Sequence, residues 1–416
     1  MSLSRRSAMI ASTMGFAAMF AGGFTWRAYS RGIFGLGVDD AYQPWNDWVR
    51  APLDGPVAVA RAGVLAANAH NSQPWLFHVQ ADRITLYADR TRNIGTVDPY
   101  RREMHLSLGC ALANMEIAAR AQGFAPTIAY VKGRLDGQLA MTTASLGGND
   151  PAGSAIAEME PCHVATLYLT DGEPRQDELF DAIAERHTNR GPFMEDHFVP
   201  MPVQATLMDE TPATGPAVNL FLFGPGEQQT RLANLISASA EALSADPQMR
   251  QDGARWFRFE RQALLDTRDG IAFDTMEDDD FMGGALERIF NRSQPAVDEA
   301  AWPQTPDEIH VTSAPLIGAV AVRDLYDMES TLAAGRLWQR LHLLLTAHGL
   351  AAQPLNQPIQ LGDRDLALGR PPAVRQQLSE IVDADGWQPT LLFRAGYAID
   401  PAITSPRRNL EDVIMA

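Results

Sequence analysis

The stretch DPYRREMHLSLGCALANMEIAARAQGF, residues 98–124, aligns without a gap with DLYDMESTLAAGRLWQRLHLLLTAHGL, residues 324–350. Each copy predicts a largely apolar helix between its two glycines, 109–123 in the first and 335–349 in the second, and the final glycine is suited to a helix C-cap. A helix that is apolar around most of its circumference is buried on several sides. We interpret the pair as an internal repeat, because a chance match of two helices would share apolar composition but not polar positions. The matches, at a constant offset of 226 residues (335 − 109), are Asp98 with Asp324, Tyr100 with Tyr326, Glu103 with Glu329, Leu106 with Leu332, and Gly109 with Gly335.

The composition is that of a soluble globular protein, with 416 residues of which 46% are apolar and 20% charged. A chain of this length is expected to form two core-forming units rather than one. The formal net charge of −17 argues against nucleic-acid partners, because an acidic surface repels phosphates. The two cysteines, Cys110 and Cys162, cannot build a disulfide framework, and no Cys/His cluster has zinc-ligand spacing. We therefore predict no metal site.

The sequence around the repeat indicates an α+β fold. Polar and apolar residues are spaced for helices at 177–186 and 228–245, and the Pro-, Thr- and Gly-rich stretch 211–217 predicts a loop. Short runs of β-branched, aliphatic and aromatic residues predict strands. These strands are 75–79, 84–88, 128–130, 164–169, 218–223, 316–322 and 389–395.

Residues 1–35 predict a targeting segment rather than a part of the fold. Arg5 and Arg6 stand before an uncharged apolar run, residues 8–24, which is near the lower limit for spanning a bilayer and suits a signal-peptide core. The arginine pair resembles a twin-arginine export signal, although Ala8 stands where that signal usually has a large apolar residue. This predicts a periplasmic protein, or one anchored on the outer face of the cytoplasmic membrane if the signal is not cleaved.

Four further segments carry polar groups suited to an anionic, ring-containing ligand. AANAHNSQPWLF (66–77) offers amide donors and acceptors for the edge of a heteroaromatic ring. ERHTNRGPF (185–193) places two arginines four positions apart beside a hydroxyl, a plausible phosphate clamp. GLAAQPLNQP (349–358) contains prolines that turn the backbone away from a helix, and SPRRNLEDV (405–413) contains a second arginine pair.

Each of these segments also has a purely structural interpretation when it is taken alone. The first fits a loop that caps a strand, the second a solvated helix end, the third a plain helix-to-strand connection, and the fourth a solvated tail. Two separate arginine pairs in an acidic chain, each near a Ser or Thr, nevertheless favour one shared anion pocket.

Together the segments resemble those of the FMN-dependent nitroreductases, and in particular the Acg-type subfamily, long single chains that contain two nitroreductase-like halves. The four resemble, in order, that family's Gln-Pro-Trp ligand loop, its Arg-Arg-Ser-x-Arg-x-Phe phosphate motif, the segment along the isoalloxazine ring, and the basic C-terminal tail. The resemblance implies FMN as the cofactor and assigns no catalytic side chain. The cofactor-binding residues it implies are Asn68, His70, Asn71, Gln73, Arg186, Thr188, Arg190, Pro354, Leu355, Asn356, Gln357, Arg407 and Arg408.

Four positions depart from the family pattern. Thr188 replaces a serine and keeps the hydroxyl, and Asn68 replaces a serine and keeps hydrogen bonding. Asn356 and Gln357 stand where many nitroreductases have Glu-Gly, so the neighbour of the ring loses a charge. This last change weakens the expectation of the usual nicotinamide-driven cycle.

The distribution of the motifs implies complementary halves. The first half, 40–170, has the Gln-Pro-Trp loop but only Arg50 and Arg61 in place of a phosphate motif, whereas the second half, 171–416, has the other three segments. By the resemblance, we expect the two tandem halves to form an intramolecular pseudo-dimer around buried central helices, with one FMN site in a monomeric chain. Residues 256–303 have no counterpart in the first half and are interpreted as an insertion, either a lid over the site or a surface packing element.

The expected function is an FMN-dependent oxidoreductase that reduces small acceptors such as nitro or quinone-like compounds, with NAD(P)H as a candidate electron donor. Two alternatives remain open from the sequence. One is a protein that stores or sequesters FMN without turnover. The other, weaker one is a membrane-tethered redox partner that takes electrons from a quinol or another protein.

Overall fold

The computed structural model describes residues 39–136, 160–258, 261–272, 311 and 314–415. The predicted targeting segment, and most of the predicted insertion 256–303, lie outside this part of the chain. Within the described residues, no helix combines the length and apolar character needed to cross a membrane.

The described residues form a mixed α and β structure with two four-stranded antiparallel sheets and one short parallel pair. The strands are β1 (Trp75–Val79), β2 (Arg83–Ala88), β3 (Phe124–Tyr130), β4 (Cys162–Asp171), β5 (Val218–Phe223), β6 (Phe257–Arg258), β7 (Ile271–Ala272), β8 (Leu316–Val322), β9 (Ala351–Pro354) and β10 (Gln388–Gly396). The first sheet has the order β1-β2-β4-β3, and the second has the order β5-β8-β10-β9.

Eleven helices accompany these sheets in the described residues. They are α1 (Gln43–Arg50), α2 (Gly55–Val64), α3 (Arg102–Ala121), α4 (Glu178–Asp181), α5 (Met201–Thr214), α6 (Glu227–Ala245), α7 (Pro247–Ala254), α8 (Arg261–Thr267), α9 (Met328–Ala347), α10 (Gln357–Ala367) and α11 (Ala373–Val382). One apolar core joins side chains of both four-stranded sheets with α3 and α9. The site described below lies beside this pair of helices.

The helices α3 and α9 contact each other through glycines. Each has 20 residues, and the 226-residue offset of the sequence match holds at both of their ends. A Cβ atom on Gly109 would lie 2.1 Å from the carbonyl oxygen of Leu332, and one on Gly335 would lie 2.0 Å from that of Leu106. A larger residue would push the backbones apart, so both positions require glycine. The contact is reciprocal, since each glycine meets the leucine three positions before the other glycine.

The predicted strands are confirmed, but two predictions beside them are partly wrong. Of the helix predicted at 177–186, only Glu178–Asp181 is helical, because the chain then turns and buries the side chain of Arg186. The loop predicted at 211–217 is wrong for residues 211–214, since α5 continues through Pro212 and ends where Gly215 adopts a φ of +123°. The strand β9 lies inside the segment 349–358, which the sequence had favoured as a plain connection when taken alone.

Candidate functional site

The loop that contains Asn68 to Gln73 has an unusual backbone. His70, Asn71 and Gln73 have φ values of +51°, +52° and +50°, the left-handed region that residues other than glycine rarely adopt. Each such residue costs about 1–3 kcal/mol and persists only where surrounding contacts hold it, most often at functional sites. Asn68 supplies one of these contacts, because its Oδ1 atom accepts a 2.8 Å hydrogen bond from the backbone N–H of Gln73.

Contacts from distant parts of the sequence hold the rest of the loop. The Asn71 side-chain amide donates to the carbonyl oxygens of Pro406 (2.9 Å) and Gly270 (3.0 Å). The Gln73 amide donates to the carbonyl oxygen of Arg268 at 2.8 Å and accepts from the backbone N–H of Arg408 at 2.8 Å. The structure therefore brings together the 66–77 loop, the C-terminal tail and the described beginning of the predicted insertion.

Arg186 and Arg407 meet beside this loop in the protein interior, where they are 2% and 3% exposed. The Arg186 guanidinium donates to the carbonyl oxygen of Leu65 at 3.2 Å, and that of Arg407 donates to the carbonyl oxygen of Ala66 at 3.3 Å. Both guanidiniums lie over the ring of Trp45, at 6.0 Å and 4.9 Å from its centroid. The sequence motifs that contain them are thus adjacent in space, although they stand more than 200 positions apart.

The pair lacks a counter-charge. Neither guanidinium forms an ion pair with a carboxylate of the described residues, and both Nε atoms are buried without a hydrogen-bond partner there. Burial lowers the pKa of Arg186 to about 10, and it lowers that of Arg407 well below the usual range, with the Arg186 charge as the second cause. Buried charge of this kind is costly unless an anion pairs with it. The pocket is therefore suited to an anionic group.

A histidine next to the arginines is held neutral. The ring of His187 packs edge-on against Trp45, with 4.6 Å between ring centroids. Burial, and then the charges of Arg186 and Arg407, lower the pKa of His187 to about 3. Over the physiological pH range this side chain consequently adds no positive charge to the pair.

The remaining predicted residues of the second segment also lie near the loop. Burial lowers the pKa of His70 to about 4, and the positive charge of nearby Arg190 is the second cause. Thr188 is paired with Ala352 of β9 through an isolated bridge. Sequence reasoning missed Arg394, a fully buried residue of β10 that donates to the Arg190 carbonyl oxygen at 3.0 Å. The only signal was a charged residue inside an apolar strand.

The predicted ring-lining segment divides into core and polar residues. Pro354 is the last residue of β9, where it pairs with Phe393 of β10. Leu355 is fully buried in an apolar cluster, so its side chain serves the core. Asn356 accepts a 3.0 Å hydrogen bond from the backbone N–H of Leu392, and the buried Oε1 atom of Gln357 has no hydrogen-bond partner in the described structure. Among the described residues, the side-chain acceptor of this segment that is left for a ligand is therefore the Oε1 atom of Gln357.

The first turns of α3 connect this segment with the 66–77 loop, a link that sequence reasoning missed. Ser107 accepts a 3.0 Å hydrogen bond from the backbone N–H of Ala69. One turn earlier, Glu103 accepts a 2.9 Å hydrogen bond from the side-chain amide of Gln360. Burial raises the pKa of Glu103 to about 7. Glu103 was noticed only as a matched position of the repeat, because nothing local marks a helix residue as part of a site.

Comparison with known proteins finds nitroreductases among the relatives of this chain. The chain is 24% identical over 384 residues to the curated protein "Putative NAD(P)H nitroreductase Rv3131" of Mycobacterium tuberculosis, covering 86% of this chain and 90% of that one. It is 25% identical over 365 residues to "Putative NAD(P)H nitroreductase acg" of the same species, covering 84% and 91%. The chain resembles the Acg-type nitroreductases. No family model matches it.

Solved nitroreductase structures are more distant. The FMN-dependent nitroreductase NfnB of Mycobacterium smegmatis in complex with NADPH has a TM-score of 0.36 and 16% identity, covering 57% of this chain and 97% of that one. The crystal structure of a "putative nitroreductase" from Anabaena variabilis has a TM-score of 0.37 and 11% identity, covering 76% of this chain and 69% of that one. These TM-scores are too low for the two structures to indicate which residues of this chain form a site.

The structure thus places the predicted residues of all four segments around the loop and the first turns of α3. Their roles in cofactor binding stay predictions, including that of Leu355, whose side chain packs in the apolar core. Among the described residues, no group of three His, Cys, Asp or Glu side chains is arranged to hold a metal ion. The prediction that the protein needs no metal is not tested by that observation.

Proposed function

We propose that the protein is an FMN-dependent oxidoreductase of the nitroreductase type. The single observation that carries this proposal is the buried pair Arg186 and Arg407, which lacks a carboxylate partner among the described residues and lies directly beside the strained 66–77 loop. A phosphate group is the anion that a pair of rigid guanidinium forks fits best.

The residues present fit FMN at both of its ends. Arg186 and Arg407 would hold the phosphate, with Thr188 and Arg190 nearby, and each Nε atom without a partner in the described structure would gain an acceptor. The buried Oε1 atom of Gln357 is a free acceptor for a ring N–H group, which an isoalloxazine carries. When bound, FMN supplies the hydride and electron transfer, while the protein orients it and adjusts its electrostatics.

We further infer that small acceptors such as nitro or quinone-like compounds are reduced, with NAD(P)H as the electron donor. The names of the two curated relatives support the donor. Asn356 and Gln357 stand in the place of Glu-Gly and are neutral, so they do not repel an anionic substrate as a glutamate would.

We also propose that two tandem halves, 40–170 and 171–416, form a pseudo-dimer within one monomeric chain. The equal lengths of α3 and α9 and the reciprocal contacts of Gly109 and Gly335 support a two-fold relation between the copies. The rings of Tyr100 and Tyr326, matched in the repeat, also pack together, 4.7 Å between centroids.

The same relation suggests why only one site is kept. Arg336 donates to the carbonyl oxygen of Thr214 at the end of α5, much as Arg186 donates to that of Leu65 after α2. Arg336, however, is paired with the carboxylate of Glu116 at 2.6 Å. An arginine that already has an internal partner does not need a ligand phosphate, so we expect one FMN per chain.

FMN storage without turnover is the second candidate function. In its favour, Arg268 and Gly270 of the insertion are hydrogen-bonded directly to Gln73 and Asn71, which ties the insertion to the ligand loop. Steady-state NAD(P)H oxidation with a nitroaromatic acceptor distinguishes the two. A chain that binds FMN but shows no turnover with NADH, NADPH or dithionite as donor is a storage protein.

For the location, we propose export by the twin-arginine route, to the periplasm or to an anchored position on the outer face of the cytoplasmic membrane. The support is the arginine pair and the apolar run of residues 8–24, which lie outside the described residues. Replacing Arg5 and Arg6 by lysine and following the protein by cell fractionation tests this. Unchanged export would contradict it.

The test of the proposed function is the spectrum and the cofactor content of the purified protein. We expect flavin absorption bands and release of FMN, rather than FAD, on denaturation. Arg186→Gln and Arg407→Gln should each be purified with less FMN than the unmodified protein. Arg340→Gln, which removes an arginine with its own carboxylate partner Glu210, should keep the full content.

A further inference from the structure

Glu103 occupies an unusual position between the two halves. Its side chain is buried, and its Oε1 atom accepts a 2.9 Å hydrogen bond from the amide of Gln360 in α10. Asn356 is its other amide partner. Because the Oδ1 atom of Asn356 already accepts from the backbone N–H of Leu392, the Asn356 NH₂ group is the donor to Glu103.

The charges around this carboxyl group do not neutralise it. Arg102 is the nearest cation, but its Nη2 atom lies 3.8 Å from Glu103 and its Nε atom is bound to Asp363 of α10 at 2.9 Å. Asp98, which caps the start of α3 through the backbone N–H groups of residues 103 and 104, adds a further negative charge. Glu103 is thus held by two neutral amides, and it shares the more distant guanidinium of Arg102 with two other buried carboxylates, Asp98 and Asp363. A carboxyl group in such surroundings responds strongly to any change in nearby charge.

We propose that Glu103 is a charge-compensating residue for the flavin, which takes up a proton from solvent when electrons enter the cofactor and returns it when they leave. This inference rests on the proposed function. Its geometric basis is that Glu103 binds Asn356, the neighbour of Gln357 whose acceptor oxygen is free in the described structure. Asn356 stands where the family pattern has a glutamate. In this chain the negative charge is instead carried by Glu103 of α3, in the first half.

The proton and electron balance is simple. A reductant such as dithionite supplies two electrons, and solvent supplies the protons. One proton converts the Glu103 carboxylate into a carboxylic acid, in addition to the protons that FMN itself would take up at nitrogen on reduction. The only bond of the side chain that forms is O–H. Burial raises the pKa of Glu103 to about 7, so the carboxylate is available to accept a proton at pH 7 and above.

The test is the midpoint potential of the FMN-loaded full chain between pH 6 and pH 9. Above pH 7 the unmodified protein should show one additional proton per two electrons, a slope steeper by about 30 mV per pH unit, the two-electron value for a tenfold change. Glu103→Gln should lose this additional slope. The matched control is Glu329→Gln, the equivalent position in the second copy of the repeat, and it should keep the slope.

The outcomes separate the two proposals. Equal slopes in all three proteins would overturn the role of Glu103 and leave the proposed function intact, whereas a chain that binds no FMN would overturn the proposed function itself. If Glu103→Gln does not fold, infrared difference spectra of the unmodified protein at pH 8 provide the test. A protonated carboxyl band that grows on reduction supports the proposal, and its absence contradicts it.

Discussion

Replacing Arg186 by glutamine should weaken FMN binding without destabilising the cofactor-free protein. Burial lowers the pKa of Arg186 to about 10 from 12.5, which corresponds to about 3 kcal/mol of unfavourable free energy for the charged form. Removing the charge relieves that cost. It also removes a hydrogen bond to Leu65, worth about 1 kcal/mol, and the contact with Trp45. We therefore expect the free energy of unfolding of the cofactor-free protein to stay the same or to rise by up to about 2 kcal/mol.

FMN binding should change in the opposite direction. A charge-assisted hydrogen bond to a phosphate contributes about 1.5–3 kcal/mol, so the dissociation constant should rise by about one to two orders of magnitude. Urea unfolding followed by circular dichroism measures the first effect, and quenching of flavin fluorescence measures the second. Arg340→Gln is the control, since it breaks an ion pair with Glu210 and should leave FMN affinity unchanged.

Two results would refute the reasoning behind this prediction. One is an Arg186→Gln protein that loses several kcal/mol of stability in the absence of FMN, which would show that the guanidinium is a structural element with a partner. The other is an unchanged dissociation constant, which would show that the phosphate binds elsewhere.

Three further changes test other parts of the account. Gly335→Ala should lower the free energy of unfolding, measured by urea titration, by more than about 2 kcal/mol, because its Cβ would meet the Leu106 backbone. Gly349→Ala is the control: it has open space around it, so despite the positive φ it should lower the same free energy by only about 1 kcal/mol. Asn71→Ala should abolish FMN retention in gel filtration, since the left-handed loop loses its contacts with Pro406 and Gly270; full retention would show that the loop is held by other groups. Burial lowers the pKa of His70 to about 4, so as the pH falls the imidazole is protonated in the unfolded chain before it is protonated in the folded one. The free energy of unfolding is therefore highest above pH 6.5 and decreases as the pH falls towards 4, by about 2 kcal/mol at pH 5. His70→Gln should reduce that loss in unfolding titrations at pH 5 and pH 7.5, and an identical pH dependence would contradict it.

The sequence was most informative where local pattern and burial coincide. The strands at 75–79, 218–223 and 316–322 have the predicted bounds, because short runs of aliphatic and aromatic residues between turn residues leave few alternatives. The central helices were expected between the repeat glycines, but they begin seven residues earlier, at Arg102 and Met328. The first turns contain polar residues, so a pattern based on hydrophobicity does not mark them as helical. Their burial depends on contacts with distant segments, such as that of Glu103 with Gln360.

Tertiary contacts decided what the sequence did not show. Glu103 and Ser107 lie at the site only because α3 passes between two segments more than 250 residues apart, and no local motif encodes that crossing. Arg394 supports the Arg190 backbone from the interior of an apolar strand. In contrast, the arginines of the predicted phosphate motif and of the tail could be found from sequence, because each segment carries two closely spaced arginines near a Ser or Thr in an otherwise acidic chain.

The most direct test of the central claim is calorimetric titration of the cofactor-free chain with FMN, combined with its molar mass in solution. The account predicts a monomer that binds one FMN, and a heat signal that disappears when Arg186 and Arg407 are both replaced by glutamine. Absence of binding, two equivalent sites per chain, or undiminished binding by the doubly substituted protein would contradict it.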